Sequence, residues 1–184
     1  MKYQTIVADP PWPIAWKASV SAPTTRARGR QFVKALPYNT MTLEQITALP
    51  VIDLSDSSSH LYLWTTNRFL EDAYAVARAW GFRPAKLLVW CKQPMGIGLG
   101  GTFSQTTEFV VFARRGTLRH LQRVDSTWWK WTRTEHSRKP EAFLDLVESV
   151  SPGPYLEMFA RRQRLGWDTW GNEALNHVPQ LDAS

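Results

Sequence analysis

The chain has 184 residues, with 22 lysines and arginines against 16 aspartates and glutamates, a formal charge of +6 and a single cysteine. That length suits one domain with a full core. No apolar stretch approaches the ~20 residues that cross a bilayer, and no export signal heads the chain, so membrane-spanning and disulfide-stapled secreted classes are excluded and a cytoplasmic location is expected. The positive balance, with a pI near 9.7, favours a polyanionic partner.

In chain order, the first apolar run, residues 3–8, reads as a buried strand and ends on "ADPPW", residues 8–12. Two successive prolines lack N–H groups and have a fixed φ, so they stop a strand and hold the chain extended. Asp9 adds a carboxylate and Trp12 a broad flat ring. Acceptors beside a stacking plate suit a planar ring carrying an exocyclic amine, such as adenine or cytosine. The plainer alternative is a rigid corner, with Trp12 in the core and Asp9 bonded to a nearby backbone N–H. Between Asp9 and Glu44 no acidic residue occurs, whereas Lys17, Arg26, Arg28, Arg30 and Lys34 all do. That segment reads as a basic loop in contact with phosphates.

A short helix is expected over 42–49, then "SDSSSH", residues 55–60, as a polar connection, and a strand over 60–65. Residues 68–80 carry Phe69, Ala73, Val76, Ala77 and Trp80 at helical spacing, with Thr66 or Asn67 available as N-cap and Gly81 to stop the helix. Further strands are expected over 85–90, 108–113 and 155–159; Cys91, in "KLLVWCK", reads as a small buried hydrophobe. The helix over 140–150 starts on Pro140 and places Phe143, Leu144, Val147 and Val150 on one face. "MGIGLGG", 95–101, precedes a strand rather than a helix, so it reads as a loop closing over nucleic acid and not as a phosphate cradle. "STWWKWTR", 126–133, interleaves tryptophans with basic residues and reads either as a base-stacking segment or as a folded-back hydrophobic lid. His60, His120, His136 and His177 lack zinc-ligand spacing, so no metal site is expected. Strands alternating with helices, several of them nearly continuous apolar runs, predict an α/β fold with a doubly wound, mainly parallel sheet and helices on both faces. Ligands then bind beyond the carboxyl ends of strands, where Asp9 falls. Residues 1–173 are expected to form one domain and 174–184 a loosely held tail.

The ordered set of "ADPPW", "LPYNTMT" (36–42), "LYLWTTNRFLEDAYAVARAWGF" (61–82), "VWCK" (89–92), "TEFVVFARRG" (107–116), "HSRKPEAF" (136–143) and "SPGPYLEMFARR…GWDTWGNE" (151–173) resembles the DPPW-type, MT-A70-like adenine amino-methyltransferases. The resemblance implies a Rossmann-like fold in permuted motif order, catalytic motif first and cofactor motifs last. It also implies methyl transfer from S-adenosylmethionine to the 6-amino group of adenine. In this chain it makes Asp9, Pro10, Pro11 and Trp12 the catalytic set, Asp9 and the Pro10 carbonyl accepting the amine hydrogens and Trp12 stacking on the base. Asp9, Lys139, Glu157, Phe159, Ala160, Arg161, Asn172 and Glu173 would bind the cofactor; Trp12, Lys17, Arg28, Tyr38, Asn39, Asn67 and Glu108 would meet the substrate. Gln163 and Arg164 depart from the histidine and asparagine of the messenger-RNA enzyme, so ribose contacts there are not carried over. Small stand-alone relatives usually act on DNA, which is the expected substrate for a monomer or homodimer; the alternatives are RNA methylation or a catalytically silent nucleic-acid-binding partner subunit.

Overall fold

The computed structural model describes residues 2–13, 40–93, 102–132 and 139–170. The elements run β1 (Tyr3–Ala8), α1 (Leu43–Thr47), α2 (Val51–Leu54), β2 (Ser55–Thr65), a 3-10 turn (Asn67–Phe69), α3 (Leu70–Ala79), β3 (Arg83–Gln93), β4 (Thr107–Arg115), β5 (Trp128–Thr132), α4 (Glu141–Val150), β6 (Tyr155–Met158) and β7 (Trp167–Trp170). The strands form one sheet in the order β5-β3-β4-β2-β1-β6-β7. β4 is antiparallel to both neighbours and every other pair is parallel, so the sheet is mainly parallel with one reversed strand.

Side chains alternate across a strand, and here the alternation sorts the core into two layers. Ile6, Ala8, Leu61, Leu63, Val111, Ala113, Leu156 and Met158 face one side, where Ile46, Val51 and Leu54 of the short helices and Ala73, Val76 and Ala77 of α3 cover them. Val7, Tyr62, Trp64, Val110 and Trp90 face the other, beneath Phe143, Leu144 and Val147 of α4. Helices thus cover both faces, and the expected Rossmann-like α/β architecture is what the residues form. Local signals set the helix ends. Thr42 and Gln45 make a reciprocal capping box on α1. Gly81 leaves α3 at φ +83°, with its N–H on the Arg78 carbonyl and the Phe82 N–H on the Ala77 carbonyl, the 5→2 and 6→1 pair of a Schellman stop.

Several expectations need correction. "SDSSSH" is not a separate connection: β2 begins at Ser55, and the register slips between Tyr3↔Ser55 and Thr5↔His60. Asp56 organises the slip, accepting from the Ser58 N–H at 3.0 Å and, through its carbonyl, from the Ser59 hydroxyl. The helix expected over 68–80 opens as a 3-10 turn, and the Thr66 side chain makes no cap bond. Pro140 caps α4 from outside it instead of taking its first position. Cys91 is only half-buried. β5 and β7, short strands at the two margins of the sheet, were not anticipated.

Candidate active site

Following the α4-side alternation one step past the core leads to charge. Val7 is succeeded on that face by Asp9, Trp90 by Lys92 and Tyr155 by Glu157, while Val110 is preceded by Glu108. Because β4 is reversed, its first residues lie at the same edge as the carboxyl ends of the others: Trp90 pairs with Glu108, and Val7 with Glu157. Lys139, just ahead of α4, reaches into this group.

Lys139 Nζ donates to Asp9 Oδ2 at 2.7 Å and lies 3.4 Å from Glu108 Oε2, while Lys92 Nζ lies 2.5 Å from Glu108 Oε1. The side chains are little exposed: 19% for Lys139, 28% for Asp9 and 17% for Glu108. Two tryptophans form the floor, with Lys139 Nζ 5.1 Å from the Trp64 ring and Lys92 Nζ 5.5 Å from the Trp90 ring. Burial pushes the Lys139 ammonium down, but Asp9 and Glu108 outweigh it and raise it above its usual value. Burial likewise pushes Glu108 up, and Lys139 with Lys92 overcomes that push, so its carboxyl ends below the ordinary range. The four groups form a chain of alternating charge, Asp9–Lys139–Glu108–Lys92. Lys92 was missed as a site residue because its pairing with Glu108 is a consequence of cross-strand register; the lysine closing "VWCK" was the only signal.

Glu157 behaves differently. Burial, only partly offset by Arg162 and reinforced by the Asp9 charge, raises its carboxyl to about 7, and its Oε2 is buried without a hydrogen-bond partner. A buried orphan acceptor beside Asp9 is a place prepared for a donor from a ligand. β6 ends there because Phe159 takes φ +62°, a left-handed conformation that costs a non-glycine residue roughly 1–2 kcal/mol. Phe159 sets its ring edge-on to Trp170 at 5.0 Å. Ala160 is buried, its N–H donated to the Trp170 carbonyl, and Arg161 is half-buried in the turn that follows. Arg164 turns away to grip α4, through Glu148 at 2.8 and 2.9 Å and Asp145 at 2.6 Å. Asn67 is exposed at the start of the 3-10 turn after β2, on the same edge.

Trp12 differs most from expectation. It is 6% exposed, its Nε1–H donates to the Trp64 carbonyl at 3.0 Å, and its ring lies parallel to Phe69 at 5.7 Å. A ring so enclosed offers no open plate for a base. The tryptophan anchors the corner, which further bonds tighten: Trp12 N–H to the Pro10 carbonyl at 2.8 Å, and Met41 N–H to the Pro11 carbonyl at 2.9 Å. Pro10 is buried and Pro11 half-buried. Lys17, Arg28, Tyr38, Asn39, Asn172 and Glu173, and with them the basic segment, "MGIGLGG" and the 174–184 tail, lie outside the described residues.

The sheet, with its charged cluster and orphan acceptor at the carboxyl edge, defines a Rossmann-like α/β enzyme, and comparison with known proteins makes it a methyltransferase. The MT-A70 family profile matches residues 3–173. The chain is 31% identical over 184 residues to the Type II methyltransferase M.MunI of a Mycoplasma species, covering 94% of this chain and 78% of that one. It is 27% identical to the N(6)-adenosine-methyltransferase MT-A70-like protein of Drosophila melanogaster, covering 94% of this chain and 27% of that one. With the human N(6)-adenosine-methyltransferase catalytic subunit METTL3 it shares 25% identity, covering 98% of this chain and 30% of that one. The chain belongs to the MT-A70 family. It spans less than a third of the length of these two animal relatives.

Proposed function

We propose that this protein transfers a methyl group from S-adenosylmethionine to the 6-amino group of adenine in a polynucleotide, with DNA as the favoured substrate. The observation that carries the reading is the placement of Asp9 and the Pro10 carbonyl, two acceptors fixed by a locked corner at the carboxyl end of the interior strand β1. The adenine amine is what the animal relatives' names specify, N(6)-adenosine. DNA is favoured because the match to the Type II methyltransferase M.MunI, at 31% identity and 78% of that protein, exceeds the matches to the two animal relatives. The same reading places it in the cytoplasm as a monomer or homodimer.

The residues present fit the cofactor. The buried, unpartnered Glu157 Oε2 can accept from a ribose hydroxyl, and Lys139, at the neck between Asp9 and Glu108, can meet a carboxylate. When bound, S-adenosylmethionine supplies an electrophilic methyl group on a sulfonium. The chain's task is to make a poor nucleophile attack, because the adenine amine has its lone pair delocalised into the ring. Asp9 and Pro10 accept the two amine hydrogens, which favours a pyramidal nitrogen and stabilises the positive charge that grows on it. The Trp12 N–H occupies one lone pair of the Pro10 oxygen and leaves the other for the amine. Lys139 fixes the Asp9 carboxylate from behind, so the acceptor does not reorganise during the reaction. Trp12 acts through the corner, as a positioning residue.

The test is incubation of the protein with labelled S-adenosylmethionine and matched single-stranded and duplex DNA and RNA, alongside Asp9→Ala. Label is expected in adenine-containing DNA and absent with the variant. Transfer that survives Asp9→Ala would overturn the assignment.

A further inference from the structure

Within "STWWKWTR", Trp128–Thr132 form β5, a marginal strand of the sheet, and its two faces differ. Inward, Trp129 and Trp131 stack at 5.5 Å with planes 7° apart, Trp131 meets Phe143 of α4 edge-on at 6.3 Å, and the Trp90 indole N–H donates to the Trp131 carbonyl at 3.0 Å. That half is anchored. Outward, Trp128 is 54% exposed and Lys130 is exposed beside it, with Nζ 5.8 Å from the Trp128 ring centroid. Trp128 thus presents more than half of a large indole to solvent from a paired strand.

We infer that Trp128 and Lys130 form an accessory stacking site for a base of single-stranded polynucleotide flanking the target adenine. Every base offers a π-face and every linkage a phosphate, so an aromatic ring alternating with a cation on one rigid face is the chemistry that holds such a strand. Charge agrees: β5 contains no acidic residue, and nearby Asp125 is paired with Arg123 at 3.0 Å. Pairing with a second copy through this edge is disfavoured. Ser126 Oγ occupies both backbone groups of Trp128, accepting from its N–H at 3.1 Å and donating to its carbonyl at 2.7 Å, and a lysine in an edge strand guards against strand addition.

The location suits the role. β5 lies four strand positions from β1 in the sheet order, about 19 Å at ~4.8 Å per step. Trp131 pairs with Lys92 at the active edge; Trp128 lies about 10 Å further down the strand and on the opposite face of the sheet, so a polynucleotide reaches it by passing round the outer margin of β5. A strand with its adenine at Asp9 therefore reaches Trp128 within the ~4–16 nucleotides that single-strand sites cover. The inference deepens the proposed function and rests on it for the position of the target base.

The experiment measures binding of a fluorescein-labelled single-stranded DNA of about 12 nucleotides with one central adenine, by anisotropy, for wild type, Trp128→Ala, Trp128→Phe and Lys130→Ala. S-adenosylmethionine titrations and thermal melts serve as controls for folding. Trp128→Ala is expected to weaken the oligonucleotide about tenfold, within the range for loss of one stacked base, and Trp128→Phe much less. Lys130→Ala is expected to lower the salt dependence by about one ion. Cofactor affinity should not change. Oligonucleotide binding by Trp128→Ala within about twofold of wild type, no binding by wild type, or a variant that only changes sedimentation from dimer to monomer would each overturn the inference. Label transfer distinguishes the two proposals. Transfer with unaltered Trp128→Ala binding removes only the stacking site; a tenfold binding loss without any transfer to adenine removes only the catalytic reading.

Discussion

Replacing Lys139 with methionine tests whether the charged chain at the carboxyl edge is a working unit. The substitution keeps much of the volume over Trp64 but leaves Asp9 and Glu108 facing the gap without the cation that lay 2.7 and 3.4 Å from them. Removing one partner of a fully buried pair costs about 3–5 kcal/mol. Here the side chains keep 17–28% exposure and Glu108 retains Lys92, so about 2 kcal/mol is the better figure. For a chain of this size that is a fall in Tm of about 4–8 °C, read by calorimetry or circular dichroism. The pH dependence is distinctive. Glu108, held below its ordinary 4.5, contributes stability above that pH and loses it as the carboxyl protonates; Lys139, raised above 10.5, contributes below that pH and loses its contribution as it deprotonates. The gap between wild type and variant should be widest between about pH 5 and 10 and should close below about pH 4.5. Methyl transfer should fall about 10²-fold, since Asp9 is no longer held, with partial recovery in Lys139→Arg. A variant melting within about 1 °C of wild type at neutral pH, or a gap as wide at pH 4 as at pH 7, would refute the argument.

Other predictions follow from single contacts. Trp12→Ala should destabilise the fold by about 3–5 kcal/mol in urea denaturation, as a buried tryptophan does, and Trp12→Phe by about 1–3 kcal/mol because the Trp64 carbonyl loses its donor; an open stacking plate would show little of either. Glu157 has its folded value raised from 4.5 to about 7, so the folded state binds the extra proton and wild-type stability should fall as pH rises between those values. Glu157→Gln should flatten that slope, be more stable than wild type at pH 8 by up to about 3 kcal/mol, and weaken cofactor binding in calorimetry. Gly116→Ala and Gly166→Ala form a matched pair: φ is +61° and +82°, but an added Cβ would stand 2.4 Å from the Ser57 carbonyl oxygen at Gly116 and meets nothing within 4 Å at Gly166. Denaturant midpoints should show about 1 kcal/mol lost at Gly166 and distinctly more at Gly116.

Long apolar runs and helix punctuation were legible in the sequence because their signals are local. β1 was read to its last residue, and α3 was bracketed by its periodic face and Gly81. The marginal strands escaped for physical reasons: β5 alternates tryptophan with lysine and threonine, which reads as a binding segment as readily as a strand, and β7 is only four residues long. The serines of "SDSSSH" look like a turn, yet they belong to a strand that absorbs a register slip. Asp9, Glu108, Glu157 and Lys139 could be named from motifs, but their mutual geometry depends on which strand lies beside which. Trp12 marks the limit of pattern reading, since an aromatic ring after two prolines serves equally as plate or wedge, and only its surroundings decide.

β4 alone runs against the rest of the sheet, and this separates the chain's exits from its core. With β4 reversed, β3 ends and β4 begins on the active edge; the chain also leaves that edge after Asp9, Thr132 and Trp170. Each departure point adjoins the chemistry, while the two hydrophobic layers lie behind it. Changes at those exits can therefore alter the groups beside the charged cluster while leaving both hydrophobic layers undisturbed.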